Sequence, residues 1–155
     1  MKLTGERTVL ATPAQIWAAL LDPETLKACI PGCEELTKTG DTTYRAAMVS
    51  KVGPIKARFA GNVTVDESNL PESCVLNGEG SGGVAGFVKG SAVLRVVPAS
   101  DDAGAGSSQL TYDADVEIGG KIASLGDRLF RGVVERNINQ LLDVLQQRIA
   151  SAMTN

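Results

Sequence analysis

From Lys121 to about Ala152 this chain reads as one long amphipathic helix, and nearly everything before it reads as strands. A helix of about 30 residues would span roughly 45 Å at 1.5 Å per residue. Its apolar residues, Ile122, Leu125, Leu129, Val133, Ile138, Leu141, Leu142, Leu145 and Ile149, recur at steps that keep a single stripe, widened by Phe130 and Val134. Asp127, Arg128, Arg131, Glu135, Arg136, Asn139, Asp143, Gln146, Gln147 and Arg148 fall on the opposite face. Such a helix needs a broad concave apolar surface to lie in, and the strands are the only candidate. A curved sheet closed over one long helix leaves a cavity between them, and concave apolar cavities hold ligands.

The earlier segments supply that sheet. Leu3–Ala11 alternates as a strand, with Leu3, Gly5, Arg7 and Val9 on one face. Thr12-Pro13 then gives a cap with proline at the first helical position, predicting a helix over Ala14–Leu21. Asp22-Pro23-Glu24 repeats the signal for a second short helix through Leu26 to Cys29, ended by Pro31-Gly32. Extended segments follow at Glu34–Thr39, Thr42–Val52, Ile55–Glu67, Ser73–Gly80, Val84–Val97 and Ser108–Ile118. Alternation is clearest in Ile55, Ala57, Phe59, Gly61, Val63 and Val65, and in Leu110, Tyr112, Ala114, Val116 and Ile118, as expected of antiparallel strands with one face buried. Asp101–Ser108 reads as a flexible hairpin tip, and Gly119-Gly120 as a sharp reversal or a hinge before the helix. The glycine tract Gly78–Gly90 lacks the phosphate-loop pattern and runs into more strand, so it reads as a hairpin of small residues at a strongly bent sheet edge, or in its functional variant as glycines at a cavity mouth that leave room for a ligand or a moving loop. The order predicts an α+β helix-grip: a seven-stranded antiparallel curved sheet around a long C-terminal helix, with two short helices after strand 1. Residues 1–155 make one domain.

Composition closes off several functions. The formal charge of -3 and pI near 5.0 argue against a phosphate-backbone binder, which needs a basic surface. With no histidine in the chain, Ser-His-Asp and Cys-His catalysis and histidine-ligated metals are impossible within it. No catalytic residue, metal ligand or covalently bound cofactor is therefore assigned. Cys29, Cys33 and Cys74 are odd in number, and C-x-x-x-C is not the redox spacing. Cys29 and Cys33 read as small half-buried residues at a turn, a thiol site being the alternative, and the odd count favours a reduced, cytoplasmic setting. No apolar run reaches the roughly 20 residues of a membrane span. Asp113, Asp115 and Glu117 form an outward acidic ladder, either solvated or docking a basic partner.

Four blocks, taken in order, resemble a known family. They are Ile30-Pro31-Gly32-Cys33; Lys51-Val52-Gly53-Pro54-Ile55 leading into Phe59-Ala60-Gly61-Asn62-Val63; Gly78–Gly83 with Gly86–Ala92; and Ala114–Ala123. Over nearly its whole length the chain is similar to the carbon monoxide dehydrogenase CoxG family of the SRPBCC, or START-like, helix-grip superfamily. The resemblance implies a non-catalytic accessory of a molybdenum hydroxylase of the carbon monoxide dehydrogenase type. Such a protein would bind an apolar small molecule, menaquinone or ubiquinone being the expected ligand, and help membrane recruitment or electron delivery. Many members continue past the helix into a hydrophobic tail. This chain stops at Asn155 without one, so a cytoplasmic place is expected, with peripheral contact at the inner face of the cytoplasmic membrane left open.

The helix-grip geometry that the resemblance implies, together with apolarity, selects a ligand-binding set: Trp17, Leu26, Ile30, Pro31, Met48, Phe59, Phe87, Leu125, Leu129, Phe130 and Val133. Those between Leu26–Pro31 and Leu125–Phe130 are expected at the open end of the grip. Tyr44, Arg45, Arg58, Tyr112 and Cys33 are candidates for a polar contact to a quinone carbonyl. Two other readings stay open. One is an enzyme of the polyketide cyclase/dehydratase kind, which needs an ionisable group in the pocket. The other is a ligand-free protein adaptor.

Overall fold

The computed structural model describes residues 1–99 and 106–154, with side chains as far as residue 152; residues 101–105 of the expected hairpin tip lie outside the described residues. β1 (Lys2–Val9) is followed by α1 (Pro13–Leu20) and α2 (Pro23–Cys29). Then come β2 (Cys33–Lys38), β3 (Thr43–Val52), β4 (Ile55–Asp66), β5 (Ser73–Ser81), β6 (Phe87–Pro98) and β7 (Ser108–Gly119), and finally α3 (Asp127–Thr154). The strands form one antiparallel sheet in the order β1-β7-β6-β5-β4-β3-β2, curved over α3. This is the expected helix-grip.

Local chemistry explains most boundaries. The Thr12 side chain accepts from the Gln15 amide while the Gln15 side chain accepts from the Thr12 amide, a reciprocal capping box. Asp22 behaves differently from the cap expected of it: its carboxylate accepts from the Thr25 hydroxyl at 2.6 Å and makes no side-chain bond to a helix amide. The strand expected from Val84 starts at Phe87, because Gly83–Ala85 forms a short 3-10 turn.

The long helix also starts later than its periodicity suggests. Ala123–Leu125 is a separate 3-10 turn, and Gly126 at φ +93° breaks the path before α3 begins at Asp127. An L-residue rarely adopts that φ, so glycine here sets where the helix can begin. The reversal after β7 depends on contact. Gly120 and Gly86 lie against one another, and a Cβ on Gly86, at φ +119°, would run into the Gly119 carbonyl oxygen. Gly86→Ala should lower stability by about 2 kcal/mol through strain alone, read as a lower urea midpoint; an unchanged midpoint would mean that the loop re-forms freely.

Two buried clusters sit between sheet and helices. The larger joins Val9, Ala11, Ile16, Trp17, Cys29, Val65, Cys74, Val96 and Leu110 to Leu142, Leu145 and Ile149 of the C-terminal half of α3. The smaller gathers Val52, Ile122, Phe130 and Val133 around the start of the helix. Arg7 ties β1 to α3 from the solvent side, donating to the Asn139 carbonyl at 2.9 Å and pairing with Asp143.

Candidate functional site: an apolar cavity between sheet and helix

Between the two clusters the helix does not meet the sheet. The inward positions in the middle of the strands are Ala46 on β3, Gly61 on β4, Gly78 and Gly80 on β5, Gly90 and Ala92 on β6, and Ala114 on β7. They are neighbours across the ladder: Ala46 pairs with Gly61, Gly61 with Gly80, Gly78 with Gly90, and Ala92 with Ala114. With no long side chain there to reach α3, a cavity of about 410 Å³ remains. That volume is within the range of small-molecule sites.

Larger apolar side chains complete the wall. Met48 and Val52 of β3, Phe59 and Val63 of β4, Leu76, Val88 and Val116 come from the sheet, and Ile122 from the turn after it. Phe130, Val133, Val134 and Asn137 come from successive turns of α3. Ser50 and Asn137 are the inward polar side chains. Glu79 and Ser91 border the cavity too, but both are exposed and alternate with inward-facing neighbours on their strands.

A groove of about 590 Å³ lies between α3 and the β3–β4 hairpin, and it shares Ser50, Val133 and Asn137 with the cavity lining. Pro31, Gly32 and Leu129 line the groove with Lys51, Arg136 and Gln140.

The expected ligand-binding residues separate into groups. Met48, Phe59, Phe130 and Val133 line the cavity, and Pro31 and Leu129 the adjoining groove. Leu125 is half-buried against the smaller cluster. Leu129, placed inward by the periodicity, is 37% exposed at the rim. Trp17 lies elsewhere, in the larger cluster, its indole donating to the Pro71 carbonyl at 2.7 Å. Leu26 and Ile30 are half-buried on and just after α2, outside the cavity lining. Phe87 is on the outer face: with Val88, Gly90 and Ala92 inward, strand parity turns it out, where its ring covers Gly119.

The polar candidates are also elsewhere. Tyr44 and Tyr112 pack against the larger cluster, and Arg58 pairs with Glu34 at 2.7 Å. The Cys33 thiol donates to the Glu35 carbonyl, and Arg45 is exposed. The acidic ladder is interleaved with cations, since Glu117 stands opposite Lys89, and Asp115 opposite Lys2.

What the sequence reading missed is Asn137, and that the glycines of the tract face inward along the strands and are not confined to a cavity mouth. Asn137 had a signal: it follows Phe130, Val133 and Val134 at helical spacing, a polar residue inside an apolar stripe. Gly78, Gly80 and Gly90 had one too. They occupy the inward parity of their strands, which marks a missing layer of side chains rather than a hairpin tip.

The cysteines are free, and among the described residues no cluster of Cys, Asp and Glu could hold a metal. Burial pushes the thiols of Cys29, Cys33 and Cys74 above their usual range; Cys33 is drawn partly back by the Glu35 backbone amide and by Lys27. The folded chain therefore keeps protons that the unfolded chain releases first. Stability should fall as pH rises past about 8.5. Urea midpoints at pH values on either side of that point check it, and a rise would contradict it.

Comparison with known proteins agrees with this architecture. The family model for the CoxG component of carbon monoxide dehydrogenase matches residues 5–150. A conserved protein from Geobacillus kaustophilus is 30% identical, with TM-score 0.89, covering 98% of this chain and 97% of its own. A protein from Thermus thermophilus shares the fold at 19% identity, with TM-score 0.71 and coverage of 98% and 99%. The ZhuI aromatase/cyclase from Streptomyces sp. R1128 shares it at 15% identity, with TM-score 0.67 and coverage of 97% and 93%. No curated protein matches the sequence. The chain belongs to the carbon monoxide dehydrogenase CoxG family.

Proposed function

We propose that the protein is a non-catalytic accessory of a molybdenum hydroxylase of the carbon monoxide dehydrogenase type, carrying an isoprenoid quinone, menaquinone or ubiquinone, in its cavity. The observation that carries this reading is the cavity itself. Its walls are apolar and its inward polar side chains, Ser50 and Asn137, are neutral. Such a site suits the sequestering of a hydrophobic molecule better than proton transfer, which needs a titratable group within reach of the substrate. Family membership supports the choice of partner.

No helix among the described residues is long and apolar enough to cross a membrane. Quinone loading is proposed to occur by peripheral contact with the cytoplasmic membrane, in whose lipid quinones are dissolved. Solvent extraction of the purified protein followed by mass spectrometry tests the carriage. A co-extracted or readily accepted menaquinone or ubiquinone supports it, and a protein that neither contains nor takes up either sinks it. Co-purification with the oxidoreductase subunits tests the partnership separately.

An enzymatic reading draws on the fold shared with the aromatase/cyclase. It predicts turnover of a polyketide-like substrate with Ser50 or Asn137 positioning it, and is abandoned if no such substrate is altered.

A further inference from the structure

We infer that a ligand enters the cavity from the adjoining groove hydrocarbon end first, and that its carbonyl oxygen is held at the groove end, on Asn137 and Ser50. The inference rests on the proposed carriage of an apolar molecule, and adds which end enters and which residues recognise the other.

The two inward polar side chains are not spread through the cavity. Both belong to the part shared with the open groove, Ser50 near the end of β3 and Asn137 on the facing side of α3. The opposite part is bounded by Leu76, Gly78, Gly90, Ala92 and Ala114, which offer no side-chain hydrogen bond. Inward-facing Asn137 and Ser50 are half-buried, make no side-chain hydrogen bond to another described residue, and keep their polar atoms within reach of solvent. The Asn137 amide has two N–H donors and the Ser50 hydroxyl has one. A carbonyl oxygen beside these side chains would take the place of water on their donors. A carbonyl carried to the far end would lose its water for nothing, which is costly.

The surroundings of the groove favour the same end. Lys51 and Arg136 line the groove, and no carboxylate does. Positive charge beside a carbonyl oxygen favours electron density building on it, as on the oxygens of a quinone when reduced. The ligand class is therefore a hydrophobe with a hydrogen-bond-accepting oxygen at one end. In a quinone held this way, the redox-active ring would stand at the protein surface.

The test compares prenylated menadione with the corresponding prenylated methylnaphthalene, which has the same shape without the carbonyls. Affinities are measured by calorimetry for the native chain, Asn137→Leu and Ser50→Ala, and the ¹⁵N-labelled native chain is titrated with each ligand by NMR. Asn137→Leu should weaken the quinone about threefold to tenfold, the worth of one hydrogen bond, and leave the hydrocarbon unchanged or tighter. Ser50→Ala should act in the same direction. The Asn137 side-chain amide resonances should move with the quinone and not with the hydrocarbon.

Equal weakening of both ligands, or quinone-specific shifts at Gly78 and Gly90 instead of Asn137, would overturn the orientation while leaving carriage intact. A native chain that binds neither ligand overturns carriage, and the orientation with it.

Discussion

Gly78→Leu should close the cavity to quinones while leaving the protein at least as stable as the native chain. Gly78 has ordinary backbone angles, and a Cβ there would sit 3.5 Å from Val63 and 3.6 Å from the Asn62 carbonyl oxygen, normal contact distances. The rest of a leucine side chain would extend into the space between β5 and α3. Strand glycine is intrinsically unfavourable, so the replacement gains local stability and buries new apolar surface. A ligand sharing that space would meet overpacking of about 1–3 kcal/mol, roughly a 5- to 150-fold loss of affinity. Calorimetric titration with a short-chain quinone, paired with thermal unfolding, reads both effects. Native affinity in a well-folded Gly78→Leu protein would place the ligand outside this cavity.

Leu145→Ala should have the opposite signature: a large loss of stability with little change in ligand affinity. Leu145 has no exposed surface and lies in the larger cluster, where α3 meets β1, α1 and α2. Truncation of a fully buried leucine costs about 2–5 kcal/mol, through lost transfer energy and the void left behind. At roughly 2–4 °C per kcal/mol for a domain of this size, unfolding should move down by about 10 °C. Leu145 is not a cavity-lining residue, so quinone binding measured well below the new midpoint should stay near native. A stability loss under about 1 kcal/mol would mean that the cluster collapses around the gap. Phe130→Ala would not separate the two properties, because Phe130 belongs both to the smaller cluster and to the cavity wall.

The fold was legible because its signals are local and periodic. Alternation in β4 and β7, proline at the start of α1 and α2, and the stripe of α3 each reflect one element's own burial, and the elements agree with one another. The start of α3 was less legible, since Ile122 and Leu125 keep the helical spacing although Gly126 interrupts the helix. Spacing reports burial and is blind to a single backbone angle.

The site was half legible for a different reason. Apolarity selects residues that are buried, yet Trp17 and Phe130 are equally apolar and lie in different clusters. What distinguishes wall from core is the size of the residues across the gap, and that depends on pairing register between strands distant in sequence. Gly61, Gly80, Gly78 and Gly90 become a single feature only once β4, β5 and β6 are aligned.

The pleat that alternates these strands keeps two properties of the protein from interfering. In Asn77-Gly78-Glu79 and Lys89-Gly90-Ser91, the middle residue bounds the cavity and its neighbours are exposed on the outer face. Substitutions at the two parities therefore act separately: one sets the volume of the cavity, and the other the charges on the outer face. Either can change without the other, a few residues apart on the same strand.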